Sequence, residues 1–250
     1  MVTLTRLDCA IASAGIMRIA FAEAVHHARH RKAFGALTVD QPLMRAVLSD
    51  MALHVEASTA LVMRLCRAFD RTPHDGAEVA YMRLLTPAIK YWVCKSAPGF
   101  LYEAMECLGG NGYVEEGILA RHFRESPVNA IWEGSGNVMC LDVLRALSRE
   151  ADAAQAVLQR LAGEASGLPG AGEAVAFIAG AFRRPESERV ARLAVEKLAL
   201  LAAAAALNKV SPPHAELFGS TRLAGNHASM YGAIDLAPND IRALLERALP

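Results

Sequence analysis

The sequence predicts an all-α protein, and three observations support this fold class. Residues that favour helices, chiefly Ala, Leu, Arg, Glu and Met, dominate the chain, whereas the apolar–polar alternation of strands is nearly absent. Apolar residues recur at helical spacing over long stretches, and short segments rich in Gly and Pro separate these stretches. With 53% hydrophobic and 21% charged residues, the chain can bury a sizeable core.

The first helix is expected to run from about Thr5 to about His30. Thr5 is a favourable N-terminal cap, and Asp8 three residues later forms a variant of the capping box. The helix should stop before Gly35, because glycine commonly ends a helix.

The second helix is expected to begin near Asp40, a good N-cap, and to tolerate Pro42 in its first turn. It should run to about Phe69. Apolar residues recur along this helix at spacings of mostly three, four or seven residues, which places them on one face. The residues of this face are Met44, Leu48, Met51, Val55, Val62 and Cys66.

A turn over residues 71–76 should lead into a third helix from about Ala77 to Leu108. This helix is expected to bend near Pro87 and again at Pro98, because proline removes a backbone hydrogen bond. The glycine-rich segment 109–112 predicts a firm break after it.

Two further helices complete the first part of the chain. A short one is expected around Glu115–Glu125, and the last is expected to start after Gly136. The last helix should carry its apolar residues on one face, namely Val138, Leu141, Leu144 and Leu147.

These elements predict a four-helix up-and-down bundle over residues 1–150 and a smaller helical extension over residues 151–250. The boundary is placed near residue 150 because the sequence there becomes richer in Ala and its helices become shorter. The breaks between these shorter helices are expected at 167–170, at Pro185 and at 212–213.

Neither the N-terminus nor the most apolar segment indicates export or a membrane span. Arg6, Asp8 and Arg18 interrupt any apolar core of a signal peptide. The most apolar run lies between Lys197 and Lys209 and is too short to cross a bilayer, so we expect a buried core helix. The five cysteines are odd in number and include no C-x-x-C motif. These features predict a cytoplasmic protein with reduced thiols and without a disulfide framework or zinc site.

Charge and ligand spacing disfavour two classes of function. Lys+Arg and Asp+Glu number 26 each, and each part of the chain is balanced as well, so the basic excess of a dedicated nucleic-acid binder is missing. His26 and His30 lie one helical turn apart, as a zinc-binding pair does. No third ligand accompanies them and their neighbours are cationic, so we interpret this segment as a solvated basic helix end without a metal.

The first candidate site segment is Arg31–Gly35, which is followed by Gln41. The planar guanidinium of Arg31 suits recognition of a phosphate. The alternative interpretation is helix termination, because cations near a helix C-terminus complement its dipole and Gly35 can end the turn.

The second candidate segment is Glu106–Tyr113, which contains Gly109, Gly110 and Gly112. Glycines let a ligand approach the backbone closely and expose N–H groups to phosphate. The alternative is a helix C-cap followed by a turn. The spacing is not G-x-G-x-x-G and no strand precedes it, which excludes a Rossmann motif.

The third candidate segment is Ile131–Asn137. Glu133, a lone carboxylate between Trp132 and a glycine-rich turn, is a candidate general base. The alternative is a capping segment in which Ser135 or Asn137 caps the next helix.

In this order and at these separations, the three segments resemble the acyl-CoA dehydrogenase family. The stretch from about Thr5 to Leu147 resembles the C-terminal four-helix bundle of that family. The resemblance therefore implies a flavoprotein oxidoreductase that binds FAD and oxidises the Cα–Cβ bond of an acyl-CoA thioester.

The resemblance also implies roles for individual residues. Glu133 corresponds to the base that removes the α-proton of the thioester. Arg31 and Gln41 would contact FAD across a dimer interface, which implies a homo-oligomer, either a dimer or a tetramer. The remaining residues implied in FAD binding are Phe34, Gly109, Gly110, Gly112, Trp132, Ser135 and Asn137, of which the three glycines would line the adenine-diphosphate portion.

Finer features resemble one branch, the bacterial alkylation-response flavoproteins. They are the sequences of residues 41–45, 85–88, 104–106 and 131–144. That branch carries an extra helical segment after the bundle, as residues 151–250 do here, and its members have been linked to DNA binding.

Three hypotheses about function follow from these observations. The first is an acyl-CoA dehydrogenase activity to which this chain contributes the C-terminal half. The second is a DNA-associated flavoprotein with little dehydrogenase activity, for which Arg183, Arg184, Arg189 and Arg192 would have to form a basic face. The third is a structural piece that dimerises through the bundle. Because the bundle begins almost at Met1, we expect the N-terminal helical domain and the middle β-domain of the family to be missing or carried by another chain.

Overall fold

A computed structural model describes residues 2–184 and 186–248 of the chain. Within these residues nearly all regular structure is helical, as the sequence predicts. The helices are α1 (Val2–His30), α2 (Pro42–Arg71), α3 (Gly76–Leu108), α4 (Gly110–Tyr113), α5 (Ile118–Ile131), α6 (Gly136–Arg149), α7 (Ala151–Glu164), α8 (Ala171–Phe182), α9 (Ser187–Asn208), α10 (Pro212–Phe218) and α11 (Pro238–Ala248). Two short strands, β1 (Lys32–Ala33) and β2 (Ala36–Leu37), form an antiparallel hairpin.

Helix α3 is the central element of the fold. It packs against α1, α2, α5 and α6, and the short links between the three long helices reverse the chain direction twice. Helices α1 and α3 therefore run parallel to each other, with α2 antiparallel to both. Together α5 and α6 occupy the position of the fourth helix in the bundle.

The start of α1 differs from the expectation that Thr5 caps it. The helix already begins at Val2, and the Thr5 hydroxyl donates to the carbonyl oxygen of Val2 at 3.0 Å. Thr5 thus lies inside the first turn, where its hydroxyl satisfies a backbone acceptor instead of a free N–H.

The ends of α2 also differ from the expectation. Asp40 belongs to a preceding 3₁₀ turn, Thr38–Asp40, so the N-cap position falls on Gln41, whose side chain does not cap. Pro42 occupies the first turn, as expected, and the helix continues to Arg71. The apolar stripe is confirmed at its centre, where Leu48, Met51, Val55 and Val62 are buried.

Helix α3 begins at Gly76 because the carboxylate of Asp75 accepts hydrogen bonds from the backbone N–H groups of Ala77 and Glu78. It continues to Leu108 with Pro87 and Pro98 inside it, so neither proline ends the helix. Pro87 lies within a buried stretch of α3. Tertiary packing on several sides therefore holds the helix through the missing hydrogen bond.

The segment after α3 is more helical than the sequence predicts. Gly109 makes the break, with φ of 61°, but residues from Gly110 onward form the single turn α4. The expected short helix at 115–125 instead begins at Ile118 and extends to Ile131, with Pro127 inside it.

The expected apolar face of α6 is wrong for Val138 and Leu141, whereas Leu144 and Leu147 pack against the core in part. Met139, Cys140, Val143 and Ala146 are buried, whereas Val138 is 45% and Leu141 is 40% exposed. Residues spaced strictly by three drift around a helix by about 60° per step, because one turn takes about 3.6 residues. From Met139, steps of four and then three residues lead to Val143 and Ala146, with Cys140 next to Met139, so the buried set stays near one face.

The helices after residue 150 share one hydrophobic core with the bundle. Helix α9 packs against α2, α3 and α6, helix α7 against α3, and helix α11 against α2. The break at 167–170 separates α7 from α8, and α10 begins at Pro212. The break expected at Pro185 lies outside the described residues. The boundary near 150 remains a prediction, and α6 ends at Arg149.

Two helices, α1 and α2, are long and apolar enough to cross a bilayer by length and composition. The share of the most apolar window that is buried inside the protein is 56% for α1 and 67% for α2. The core helices of water-soluble proteins pass the same test. The run between Lys197 and Lys209 lies largely within α9, and its residues 198–207 are buried, as expected.

Candidate functional site

The segment that contains Arg31 forms a β-hairpin rather than a helix cap. Helix α1 ends at His30, and the two-residue loop of the hairpin is Phe34-Gly35, with φ of 52° and 86°. Two consecutive positive φ values are characteristic of a type I′ turn. The interpretation that Gly35 ends the helix is therefore wrong, because Gly35 serves the hairpin. Phe34 is fully exposed at the tip, and Arg31 is exposed beside it.

Gln41 holds the base of this hairpin. Its side-chain amide Nε2 donates to the carbonyl oxygen of Ala33 at 2.8 Å. The hairpin thus presents Arg31 and Phe34 outward while Gln41 fixes its orientation against the start of α2.

The glycines after α3 have two distinct roles. A Cβ on Gly112 would lie 2.2 Å from the carbonyl oxygen of Met105, so Gly112 is required for packing. A Cβ on Gly109 or Gly110 would meet nothing within 4 Å. These two glycines border a cleft of about 350 Å³. The other residues that line it are Tyr102, Met105, Glu106 and Tyr113. The backbone of Gly109 and Gly110 is therefore open to close approach by a ligand.

The turn that carries Glu133 connects α5 to α6 in a strained conformation. Glu133 has φ of 58°, which is unusual for a residue with a side chain, and Gly134 follows with φ of 113°. A Cβ on Gly134 would lie 2.6 Å from the methyl carbon of Met139, so this glycine cannot be replaced without movement.

Two cations anchor the backbone of this turn. Arg6 Nε donates to the carbonyl oxygen of Glu133 at 3.0 Å, and Lys90 Nζ donates to that of Gly134 at 2.9 Å. Lys90 is 1% exposed, and burial lowers the pKa of its ammonium group. Arg6 also pairs with Asp142 of α6 at 2.6 Å. The turn is thereby tied to α1, α3 and α6.

The turn that carries Glu133 borders a cleft of about 360 Å³. It is lined by Thr5, Asp8, Cys9, Ala12, Asn129, Trp132 and Glu133. Burial raises the pKa of the Cys9 thiol, so Cys9 does not supply a thiolate to the cleft at neutral pH.

The capping alternative for this segment is wrong. Ser135 lies at the N-cap position of α6 but its side chain makes no capping hydrogen bond. Asn137 accepts a hydrogen bond on Oδ1 from Arg192 Nε of α9 at 2.8 Å. Trp132 is 55% exposed at the edge of the cleft.

Sequence analysis missed three residues of this site. Asp8 was interpreted as part of a capping box and, together with Arg6, as an interruption of a signal peptide. Lys90 could have been found, because it is a lone cation in the otherwise apolar stretch from Leu84 to Cys94. A charge there requires a partner, since an unpaired buried charge is costly.

The structure separates the three candidate segments into two groups at opposite ends of the bundle. Arg6 contacts the Glu133 turn, and Arg31 follows the other end of α1, about 37 Å away along the helix axis at a rise of about 1.5 Å per residue. Because α3 runs parallel to α1, Gly109 lies at the same end as Arg31. One chain therefore does not bring Arg31 and Glu133 into a single site.

Among the described residues, no further metal-ligating side chain joins His26 and His30 in a cluster. The rings of His26 and His30 lie 4.4 Å apart between centroids, and His30 Nδ1 bonds to the carbonyl oxygen of His26 at 2.7 Å. No group of three or more His, Cys, Asp or Glu side chains suited to a metal ion occurs in the described part of the chain.

Comparison with known families and proteins gives a consistent result. The family model for the acyl-CoA dehydrogenase C-terminal domain matches residues 1–148. The chain is 55% identical over 148 residues to the putative acyl-CoA dehydrogenase AidB of Escherichia coli, covering 59% of this chain and 27% of AidB. It is 34% identical over 151 residues to acyl-CoA dehydrogenase family member 11 of Caenorhabditis elegans, covering 59% of this chain and 24% of that protein.

Solved structures extend the likeness of fold beyond the bundle. The structure of C. elegans ACDH-11 in complex with C11-CoA aligns with a TM-score of 0.81 over 99% of this chain and 46% of that chain, at 24% identity. The acyl-CoA dehydrogenase of Bacillus anthracis complexed with FAD aligns with a TM-score of 0.70 over 99% and 48%, at 17% identity. The chain thus spans about a quarter of the first two curated relatives and about half of these solved chains.

Proposed function

The chain belongs to the acyl-CoA dehydrogenase family, and from this premise we propose that it supplies the C-terminal helical part of an FAD-dependent oxidation of acyl-CoA thioesters at the Cα–Cβ bond. One observation carries this proposal. Glu133 sits beside an open cleft in a turn whose backbone is fixed by Arg6 and by the buried Lys90. A strained residue held by charged groups is typical of a functional position.

Glu133 is the group proposed to remove the α-proton. Its carboxylate would accept this proton, and Trp132 beside it would help exclude water from the cleft. FAD, when bound, supplies the acceptor for the hydride that leaves the β-carbon. The anchors Arg6 and Lys90 would hold the carboxylate in position without touching the substrate.

The residues at the opposite end of the bundle fit a diphosphate. Arg31 is exposed and makes no ion pair with any described residue, and the backbone at Gly109 and Gly110 is open. The single carboxylate that lines this cleft, Glu106, is the feature least favourable to an anion. We infer that Arg31, Phe34, Gln41 and the glycines would hold the adenine-diphosphate part of FAD.

The separation of the two groups supports a homo-oligomer. Because Arg31 and Glu133 lie at opposite ends of α1, the Arg31 end of one copy would complete the site that contains Glu133 of another copy. The fully exposed Phe34 supports this arrangement, since a large apolar side chain at a hairpin tip favours an intermolecular contact. The whole site would further require the domains that the longer relatives possess.

Titration of the 250-residue chain with FAD tests cofactor binding. We expect saturable binding that weakens at least tenfold in Arg31→Ala, as removal of a charged hydrogen bond predicts. Arg71→Ala, an exposed arginine at the end of α2, is the matched control and should bind like the parent. FAD binding that is equal in both variants would contradict the role of Arg31.

Activity tests the role of Glu133. When the chain is combined with the domains that complete the site, it should reduce an artificial electron acceptor in the presence of FAD and an acyl-CoA, and Glu133→Gln should lose at least about a hundredfold in rate while still binding FAD. Turnover in Glu133→Gln at the parent rate would remove the residue from the mechanism. FAD binding without turnover in the parent chain would limit the proposal to cofactor binding.

The similarity to AidB supports membership of the alkylation-response branch, and this branch favours a second candidate function in association with DNA. The charge arrangement does not favour it. Arg189 pairs with Glu186 at 2.6 Å and Arg192 donates to Asn137, so only Arg183 and Arg184 of the expected basic face lack a described partner. Affinity for DNA that falls steeply with salt would support this second candidate.

A further inference from the structure

A further cavity, which is open to solvent, lies away from the Glu133 cleft. It has a volume of about 280 Å³ and is bounded by α2, α3, α9 and the segment 227–231. Trp92, Leu200 and Met230 give it an apolar surface, and Lys95 and Arg222 add positive charge. The lining residues from α9, Arg222 and the segment 227–231 all follow residue 148, so they lie beyond the part of the chain that the family model matches.

The segment 227–231 is fixed by two buried polar residues of α2. Asp50 accepts hydrogen bonds from the guanidinium of Arg222 and, at 2.9 Å, from the backbone N–H of Gly232. His54 Nδ1 lies 3.3 Å from the hydroxyl of Tyr231. Asp50 is 2% and His54 is 6% exposed. The cavity is therefore a built feature of the fold rather than a gap beneath a loose loop.

The hydrogen-bond directions around His54 follow from Ser96. The Ser96 hydroxyl donates to the carbonyl oxygen of Val93 at 3.1 Å, so it can only accept from His54 Nε2, which is 3.1 Å away. Nε2 then carries the imidazole proton, and Nδ1 accepts from Tyr231. This chain of bonds leaves His54 neutral and without a free donor for a ligand.

Arg222 has a donor that the protein does not use. Its side chain is 9% exposed and Nη2 is bonded to Asp50. Nη1 is buried and has no hydrogen-bond acceptor among the described residues. An unsatisfied buried donor on a charged group is costly, and an oxyanion in the cavity that Nη1 reaches by a small shift of the Arg222 side chain would remove that cost.

The other charges define which anion fits. Lys95 is exposed at the mouth, where it makes no ion pair within the described part of the chain. Asp50 and Glu196 also border the cavity and disfavour a second negative charge. A monoanion with a planar oxyanion group and a short apolar part matches two free cationic donors and the apolar wall.

We propose that this cavity binds a small monocarboxylate, with the carboxylate bonded to Arg222 Nη1 and Lys95 and the apolar part packed on Trp92 and Leu200. The site is separate from the Glu133 cleft, so it does not depend on the dehydrogenase proposal. A ligand here would bridge α2 and α3 to α9 and to the segment 227–231. Its binding would therefore strengthen the attachment of the extension to the bundle.

Benzoate, its neutral isostere benzamide, and inorganic phosphate are the probes that test this proposal on the 250-residue chain. The chain has two tryptophans, so in a Trp132→Phe background Trp92 alone reports on the cavity. We expect benzoate to change Trp92 fluorescence saturably, with a dissociation constant tighter than about 10 mM. Benzamide and phosphate should each bind at least tenfold more weakly.

Two variants separate binding from folding. Arg222→Lys retains a cation for Asp50 but removes the free nitrogen, and benzoate affinity should fall at least tenfold. Because Arg222→Lys could disturb the fold, Lys95→Gln is the second variant, and a fall of several-fold is expected. Lys32→Gln, at the far hairpin, should bind like the parent.

Three results would overturn the proposal. The first is the absence of saturable benzoate binding. The second is benzamide or phosphate binding as tightly as benzoate, which would remove the monocarboxylate specificity. The third is benzoate affinity in Lys95→Gln and in a folded Arg222→Lys equal to that of Lys32→Gln.

Discussion

The ammonium group of Lys90 lies 2.9 Å from the carbonyl oxygen of Gly134, and this hydrogen bond joins the middle of α3 to the turn that carries Glu133. Lys90 is buried, so the bond is shielded from water. The position of the proposed base therefore depends on a residue 43 positions earlier in the chain, which has no contact with the cleft itself.

Lys90→Met should loosen this turn. Methionine keeps the apolar stem but leaves the Gly134 carbonyl without its donor, which should lower the free energy of unfolding by about 1–3 kcal/mol. Hydrogen exchange should accelerate at residues 134–137 more than elsewhere. Lys95→Met, an exposed change on the same helix, is the control and should stay within about 0.5 kcal/mol of the parent. Equal exchange rates in both variants would contradict the anchoring role.

Glu133→Gly should stabilise the folded chain although it deletes the proposed base. Glu133 has φ of 58°, and this conformation costs a residue with a side chain about 1–2 kcal/mol that glycine avoids. Urea unfolding should therefore give Glu133→Gly a higher free energy of unfolding than Glu133→Gln, which keeps the strain. Gly134→Ala is the opposite case, and it should be destabilised because Gly134 has φ of 113°, a conformation that residues with a side chain rarely adopt. A less stable Glu133→Gly would show that no strain is stored there.

Stability should fall with acid because of His54. Burial lowers the pKa of His54 to about 3, whereas the unfolded chain has a histidine of pKa 6.5. Between these values the unfolded state binds a proton that the folded state does not, so stability decreases as the pH falls from 6.5 toward 3. The expected slope from this group is about 1.4 kcal/mol per pH unit.

His54→Gln tests this dependence. The variant should be less stable at pH 7.5, because glutamine does not reproduce both hydrogen bonds, but its stability should decline less steeply below pH 6.5. Urea unfolding at several pH values measures both quantities. Parallel pH profiles for the parent and the variant would exclude His54 as the source.

Glu78→Gln should weaken the attachment of α7 to the bundle. Glu78 is 2% exposed and bonds Arg64 at 2.9 and 3.0 Å and Arg160 of α7 at 3.0 Å. Burial alone would raise the pKa of Glu78, but the bonds to both arginines lower it below the ordinary value. The carboxylate is therefore ionised, and its neutralisation leaves buried Arg64 without a countercharge.

Loss of one member of such a group typically costs about 3–5 kcal/mol, and thermal unfolding should show this. Because the pKa of Glu78 is lowered in the folded chain, the stability that its charge contributes is lost as the pH falls below the ordinary pKa of a glutamate. Thermal unfolding of the parent in acid should therefore show part of the loss that Glu78→Gln shows. Glu115→Gln, which breaks an exposed pair with Arg124, is the control and should leave the melting temperature unchanged. A melting temperature in Glu78→Gln equal to that of the control would contradict a structural role for the buried group.

Phe34→Asp should reduce self-association without unfolding the chain. The side chain is fully exposed and contributes nothing to the core, so circular dichroism and the melting temperature of the monomer should not change. Sedimentation should show a larger share of monomer, since a charge at the hairpin tip opposes an apolar contact. An unchanged oligomer in Phe34→Asp would place the interface elsewhere.

The helical fold could be predicted because its signals are local. Apolar spacing located α1, α2 and α3 to within three residues at either end, and Gly109 marked the break after α3. The hairpin at 32–37 could not be predicted, because its first residues continue the helical composition of α1. The course of α3 through Pro87 was predicted from the length of its apolar pattern, and packing from other helices outweighs the local preference of proline.

The candidate site was predictable only in part. Glycine-rich segments singled out Glu133 and Gly109, and the guanidinium at the end of α1 singled out Arg31, but the contact of Lys90 with the Glu133 turn depends on tertiary packing. The cavity at Arg222 was not foreseen, because its walls come from four separate parts of the sequence. No spacing within a single segment indicates such a site.

The position of α9 has a consequence for biogenesis. This helix carries the alanine run 202–206, which is buried on all sides, and it covers surfaces of α2, α3 and α6. During translation the first six helices would leave the ribosome before α9 is made. At about 5–20 residues per second, the 59 residues from 150 to 208 take about 3–12 s. For that interval the nascent bundle would expose the apolar surfaces of α2, α3 and α6 that α9 later covers, and such exposure favours aggregation.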